Sequence, residues 1–231
     1  MGQLPVTDSA ATADCDRAEA ARYALLRRLA PSIRHNLVIN LQPIGMIYEV
    51  LDRRLRGPQP DLAHVQASAA KINSFARAAL DSCLNVVTWL APEESAVTDA
   101  MEGTRECSAL LSTTLSFRGY TLRNQAQPVP GDVRLSAVRN VLTAALIQVT
   151  DEAAPPAEVA ITTASSPQGL QVQLQVRRTE EGDSATDTTS AYRALRWTDV
   201  QALAASEQVV LERPSAGQVV ITFPWARPRP A

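Results

Sequence analysis

The stretch IRHNLVINLQPIGMIYEVLDRRLR, residues 33–56, repeats its apolar side chains at three- and four-residue steps through Ile33, Leu37, Leu41, Ile44, Ile47, Tyr48, Leu51 and Leu55. Such steps hold them on one stripe of an α-helix, so the chain from 16 to 56 is expected to be a single long amphipathic helix. Gly57, Pro58 and Pro60 end it. Asp61 then offers an N-cap for a second helix carrying Leu62, Val65, Ala69, Ile72, Ala76, Ala79, Cys83 and Val87, which stops before Pro92. Two long helices joined by a short turn make an antiparallel hairpin. One hairpin cannot close a core around stripes this long, whereas two can pair into a four-helix bundle, so a homodimer is expected.

Residues 1–15 are small and polar and are read as a disordered tail ahead of a hairpin domain at 16–93. They lack the basic start and apolar run of a secretory signal. No stretch approaches the roughly 20 apolar residues that span a bilayer, which points to a cytoplasmic protein without a membrane part. A net charge of −2 gives no basic field to attract nucleic acid. Cys15, Cys83 and Cys107 stand far apart without metal-site spacing, as in proteins of a reducing compartment.

Beyond Pro92 the pattern changes to that of a second domain, 94–231. Helices are expected over 98–117, 134–150 and 198–205. Strands are expected at 120–122, 159–163, 170–176, 209–212 and 218–223, the third alternating Val172, Leu174 and Val176 against glutamines. This is an α+β arrangement. The polar run 179–190 reads as a mobile loop.

Arg34, His35, Asn36 and Leu37, followed by Asn40, Leu41 and Gln42, resemble the H-box of bacterial histidine kinases, with Asn36 where the family often carries an acid. Arg118-Gly119-Tyr120-Thr121-Leu122, Val129-Pro130-Gly131-Asp132, Arg134-Leu135 and Val138 resemble the approach to that family's nucleotide-binding helix. The resemblance implies a dimerisation and phosphotransfer hairpin followed by an ATPase-like α/β sandwich. It departs at the nucleotide. The kinase pattern sets a magnesium-binding asparagine four residues after the first, and here Asn140 leads to Ala144, whose methyl offers no oxygen to the ion. After 170–176 the chain reads Arg177, Arg178, Thr179, Glu180, Glu181, Gly182, without the Asp-x-Gly-x-Gly order, and no glycine-rich lid precedes Trp197. A kinase-like core with a histidine and no ATP site is similar to the bacterial dimeric histidine phosphotransferases. That family implies response-regulator receiver domains, or a hybrid histidine kinase, as partners. It also implies no cofactor of its own, with Mg²⁺ on the receiver.

On a wheel of about 100° per residue, His35 stands nearly opposite the apolar stripe, alongside Ile39, Gln42 and Met46. Neutral imidazole can attack phosphorus with one nitrogen while the other is held by a hydrogen bond. His35 is therefore the candidate phosphoacceptor. Asn36 and Asn40 are candidates for hydrogen-bonding support, and Arg34, Ile39, Gln42 and Met46 for partner binding. His64 reads as a surface residue. A second reading makes the chain an adaptor that binds two-component partners without being phosphorylated, and a third keeps kinase activity through a divergent nucleotide site.

Overall fold

The computed structural model describes residues 7–59, 61–91, 93–179 and 192–226. The chain divides into two compact units, Pro31–Pro92 and the remainder, Met1–Ala30 with Glu93–Ala231. The boundary falls inside the first helix, α1, Thr7–Leu55.

The structure departs from two expectations of the sequence. Residues 7–15, read as tail, are already helical. The hairpin unit begins at Pro31 and not at residue 16, because the earlier part of α1 belongs to the α+β unit. In that part Ala18, Ala21, Ala24, Leu25 and Leu29 are buried, a stripe at helical spacing that two leucines and small alanines compose. Residues 1–6 lie outside the described residues, and of the expected loop 179–190 only Thr179 lies inside them.

The hairpin unit pairs residues 31–55 of α1 with α2, Leu62–Leu90. Asp61 caps α2, its carboxylate accepting from the Ala63 and His64 amides at 3.0 and 3.3 Å. Across the hairpin, Asn40 Nδ2 donates to Ser82 Oγ at 3.1 Å. Leu37, Ile44 and Leu51 are half-buried, while Leu41, Tyr48 and Leu55, set between them on the same stripe, are exposed. Each unit carries helices; none of the described helices is long and apolar enough to cross a membrane.

The α+β unit is built on a five-stranded sheet of β2 (Tyr120–Asn124), β4 (Ala157–Ser165), β5 (Gly169–Arg178), β6 (Val210–Ser215) and β7 (Gln218–Pro224), in the order β2-β4-β5-β7-β6. Only β2 and β4 run parallel within it. A small antiparallel pair, β1 (Val97–Thr98) with β3 (Val133–Arg134), stands apart. The period-two pattern decides which face is buried: Val159, Ile161, Val172, Leu174, Val219, Ile221 and Phe223 are fully buried, and Gln171, Gln173 and Gln175 alternate with them half-exposed. Helix α3 (Ala100–Phe117) contributes Cys107, Leu111 and Leu115 to the core. A helix over 135–152 consists of α4 (Leu135–Ala137), a π-helical turn Val138–Leu142, and α5 (Thr143–Glu152). Helix α6 (Trp197–Ser206) adds Val200, Leu203 and Ala204. The fold class expected from the sequence, α+β with long N-terminal helices ahead of a mixed sheet, is the one observed.

Just past α6, Gln208 holds φ at +58°, a left-handed conformation in which a Cβ is strained. Its N–H closes the helix onto the Ala205 carbonyl at 3.2 Å, a place where glycine is the favoured residue. Gln208→Gly is expected to raise stability by about 1 kcal/mol, read as a higher midpoint in urea; an unchanged or lower midpoint would show that the side chain compensates for the strain.

Candidate functional site

Within the hairpin unit, His35 is exposed on α1, and so are Arg34, Ile39, Gln42 and Met46. His35, Ile39, Gln42 and Met46 follow each other at four, three and four residues, so they form one strip along the helix. Ile39 and Met46 each expose more than half of their surface, 51% and 56%, and thus present apolar area beside the imidazole. Pro43 lies inside the helix. Having no N–H, it leaves the carbonyl of Ile39, four residues earlier, without its helical partner. The strip therefore combines an imidazole, apolar side chains and a backbone acceptor.

The asparagines are placed differently from each other. Asn36 is half-buried next to His35. Asn40 is turned toward α2: its Nδ2 donates to the Asn36 carbonyl and to Ser82 Oγ, both at 3.1 Å. Five residues on a helix put it about 140° around from His35, so the structure does not bring its side chain to the imidazole. His64 is half-buried in the first turn of α2.

Within the α+β unit, the helix that resembles the nucleotide-binding helix has Ser136, Arg139 and Asn140 engaged internally, while the Gln148 amide is buried without a hydrogen-bond partner. Asn140, in the π turn, donates from Nδ2 to Glu207 Oε1 at 2.8 Å, and Ser136 Oγ donates to Glu207 Oε2 at 3.0 Å. Arg139 forms an ion pair with Glu106 at 2.7 Å. The π turn fits one more residue into the helix than α geometry allows, which turns both Arg139 and Asn140 into buried positions. Ala144 and Gln148 follow Asn140 at four-residue steps and have no exposed surface. At the end of α5, Asp151 is a hub. It accepts from both guanidinium nitrogens of Arg28 at 2.6 and 2.7 Å, from Arg118 at 2.8 Å, and from the Leu195 amide at 3.1 Å.

The hub was not legible in the sequence reading, since Arg28, Arg118 and Asp151 are separated by long stretches and belong to no motif. Arg177 and Arg178 close β5 with exposed side chains. Among the described residues no group of three or more His, Cys, Asp or Glu side chains is placed to hold a metal ion. Burial pushes the Cys107 thiol up to about 12, so it is a packing residue and not a thiolate nucleophile.

No family model matches the chain, and no curated protein matches it. Among solved structures it is similar to the catalytic domain of the histidine kinase ThkA, at 8% identity over 56% of this chain and 96% of that one, with a TM-score of 0.42. It is also similar to the Acinetobacter baumannii histidine kinase AdeS, at 11% identity over 79% and 97%, TM-score 0.41. A bacterial phosphotransferase is a third, at 12% identity over 95% and 97%, TM-score 0.41. With every one of these TM-scores below 0.5, the functional reading rests on the chain's own residues.

Proposed function

We propose that this protein is a histidine phosphotransferase that relays phosphoryl groups between response-regulator receiver domains through His35, without binding ATP itself. The observation that carries the reading is the exposed strip His35, Ile39, Gln42 and Met46, an imidazole set in a partly apolar helical surface. In the proposed step a receiver docks on the strip and its phosphoaspartate is attacked in line by the neutral imidazole nitrogen. The P–N bond forms as the P–O bond to the aspartate breaks, and the aspartate leaves as a carboxylate. The receiver's own Mg²⁺ neutralises the oxygens of the transferring group. The reverse step on a second receiver completes the relay. Arg34, one residue away and exposed, is a cation available to the incoming phosphoryl group.

The residues on the α5 face do not fit a nucleotide with its magnesium. Ala144 supplies no oxygen ligand, and the Asn140 amide is held by Glu207. No step is therefore routed through ATP. Homodimerisation belongs to the same proposal, supported by the exposed Leu41, Tyr48 and Leu55 of α1 and Leu80, Leu84, Val87 and Leu90 of α2.

Incubation with a phosphorylated receiver tests the relay. Label is expected to reach the wild-type chain and to fall to background in His35→Gln, with dimer and melting temperature unchanged, while radiolabelled ATP alone gives none. Label from ATP alone would sink the reading. The neutral Asn36, where an acidic neighbour is usual for a phosphoaccepting histidine, favours the adaptor as second reading. Failure of any receiver to transfer, with receiver binding still abolished by Met46→Asp, would establish that alternative.

A further inference from the structure

The first half of α1 is fastened to its unit at two points. Just past α6, Arg22 lies 3.8 Å from the Glu207 carboxylate, which also holds Asn140 and Ser136. At the end of α5, Arg28 and Asp151 form a two-pronged ion pair whose side chains are 6% and 7% exposed. Ala144, Gln148 and Asp151 follow each other at four and three residues on α5, so they share the face that ends at the second fastening. Arg28 also donates to the Arg193 carbonyl at 3.3 Å, and Tyr23 meets Tyr192 edge-on at 6.2 Å.

This seat differs from the core of the unit in three ways. Its apolar stripe is mainly alanine, with Ala18, Ala21 and Ala24 beside Leu25 and Leu29, and alanines bury little area for the hydrophobic effect to act on. The amide of Gln148 is buried with neither Nε2 nor Oε1 hydrogen-bonded, a cost that hydration would relieve. A cleft of about 730 Å³ opens between residues 14–22 of α1 and residues 198–206. Two charged clasps over a thin apolar contact describe a fastening that can part before the sheet does.

We infer that residues 18–30 of α1 are a releasable latch on the α+β unit, which opens as a segment while the sheet stays folded and exposes the α5 face of Ala144 and Gln148. When it opens, the Gln148 amide gains solvent partners, Asp151 keeps Arg118 and the Leu195 amide, and Glu207 keeps Asn140 and Ser136. The carboxylates are thus never left bare, which is what lets the latch part without unfolding the unit. The inference concerns packing and stands whether or not His35 accepts a phosphoryl group.

Hydrogen exchange of the full-length protein, read by mass spectrometry, tests it. In the wild type, amides of 20–30 are expected to exchange at least tenfold faster than those of 219–223 in β7. Arg28→Ala should speed the first group a further tenfold or more and leave β7 unchanged. Equal protection of the two segments in the wild type would overturn the latch, because the segment would then open only with the whole unit. Arg28→Ala that changes both segments alike, or neither, would overturn it too. Should Arg28→Ala fail to fold, Arg22→Ala, whose side chain is 34% exposed, gives the same comparison with a smaller shift.

Discussion

Gly169→Ala is expected to lower the stability of the α+β unit by about 4 kcal/mol or more, a value in the range reserved for severe core disruptions. Gly169 opens β5 opposite Pro224 of β7. A Cβ built on it would overlap the Phe223 carbonyl oxygen and stand 2.7 Å from its carbon and 3.1 Å from Pro224 Cα. All three are backbone atoms, so no rotamer change can make room. Relief requires the two strands to separate at the place where Leu170 and Phe223, both fully buried, pair across the ladder. Overpacking that shifts backbone in a dense interior carries penalties well above those of side-chain crowding. Gly45→Ala supplies the contrast. Nothing lies within 4 Å of a Cβ there, and helix propensity alone should add up to about 1 kcal/mol. Urea unfolding of both variants, followed by tryptophan fluorescence, checks the pair; Gly169→Ala within 1 kcal/mol of wild type would mean that the β5–β7 edge yields far more easily than its packing implies.

How far the sequence disclosed this fold depends on side-chain size and on separation along the chain. The hairpin and the strands were legible because large apolar residues mark period and face: Leu37 through Leu55 on α1, and Val172, Leu174 and Val176 on β5. Asp61 as N-cap of α2 was legible for the same local reason, a capping carboxylate beside a helix breaker. The docking of the first half of α1 was not. Its stripe of Ala18, Ala21 and Ala24 carries little periodic signal, and what fastens it, Arg28 on Asp151, joins residues 123 positions apart. At the candidate site, the exposure of His35, Ile39, Gln42 and Met46 followed from the helical wheel. The turn of Asn40 toward Ser82 did not, because a half-buried amide chooses between neighbours that only the hairpin register brings together. The π turn at Val138–Leu142, which sends Asn140 to Glu207, was likewise invisible to a reading at α periodicity.

In the proposed homodimer, replacing Leu41 and Tyr48 together by aspartate should leave only monomer at micromolar concentration. Both residues are large and exposed, 51% and 61%, and both lie on the stripe that also carries the half-buried Leu37, Ile44 and Leu51. Covering the exposed half of such a side chain contributes about 0.8–1.5 kcal/mol, and symmetry doubles every contribution because each copy supplies the same patch. Two substitutions per chain therefore remove four such burials, roughly 3–6 kcal/mol, before the desolvation of the added carboxylates is counted. At about 1.4 kcal/mol per tenfold in the dissociation constant, the expected weakening is at least about 10²-fold. Met46→Asp is the matched control: also exposed on α1, it lies on the His35 strip about 160° around the helix from Tyr48 and about 140° from Leu41, and should leave the dimer whole while abolishing the proposed receiver docking. Sedimentation velocity separates the cases. A wild-type chain that sediments as a monomer, or a double variant that still dimerises, would assign the stripe to another partner and remove the four-helix bundle from the proposal. Dimer loss in the double variant but not in Met46→Asp would show that the face of Leu41 and Tyr48 serves the second copy and leaves the His35 strip free, which is the division of surface that the proposed phosphoryl relay through His35 requires.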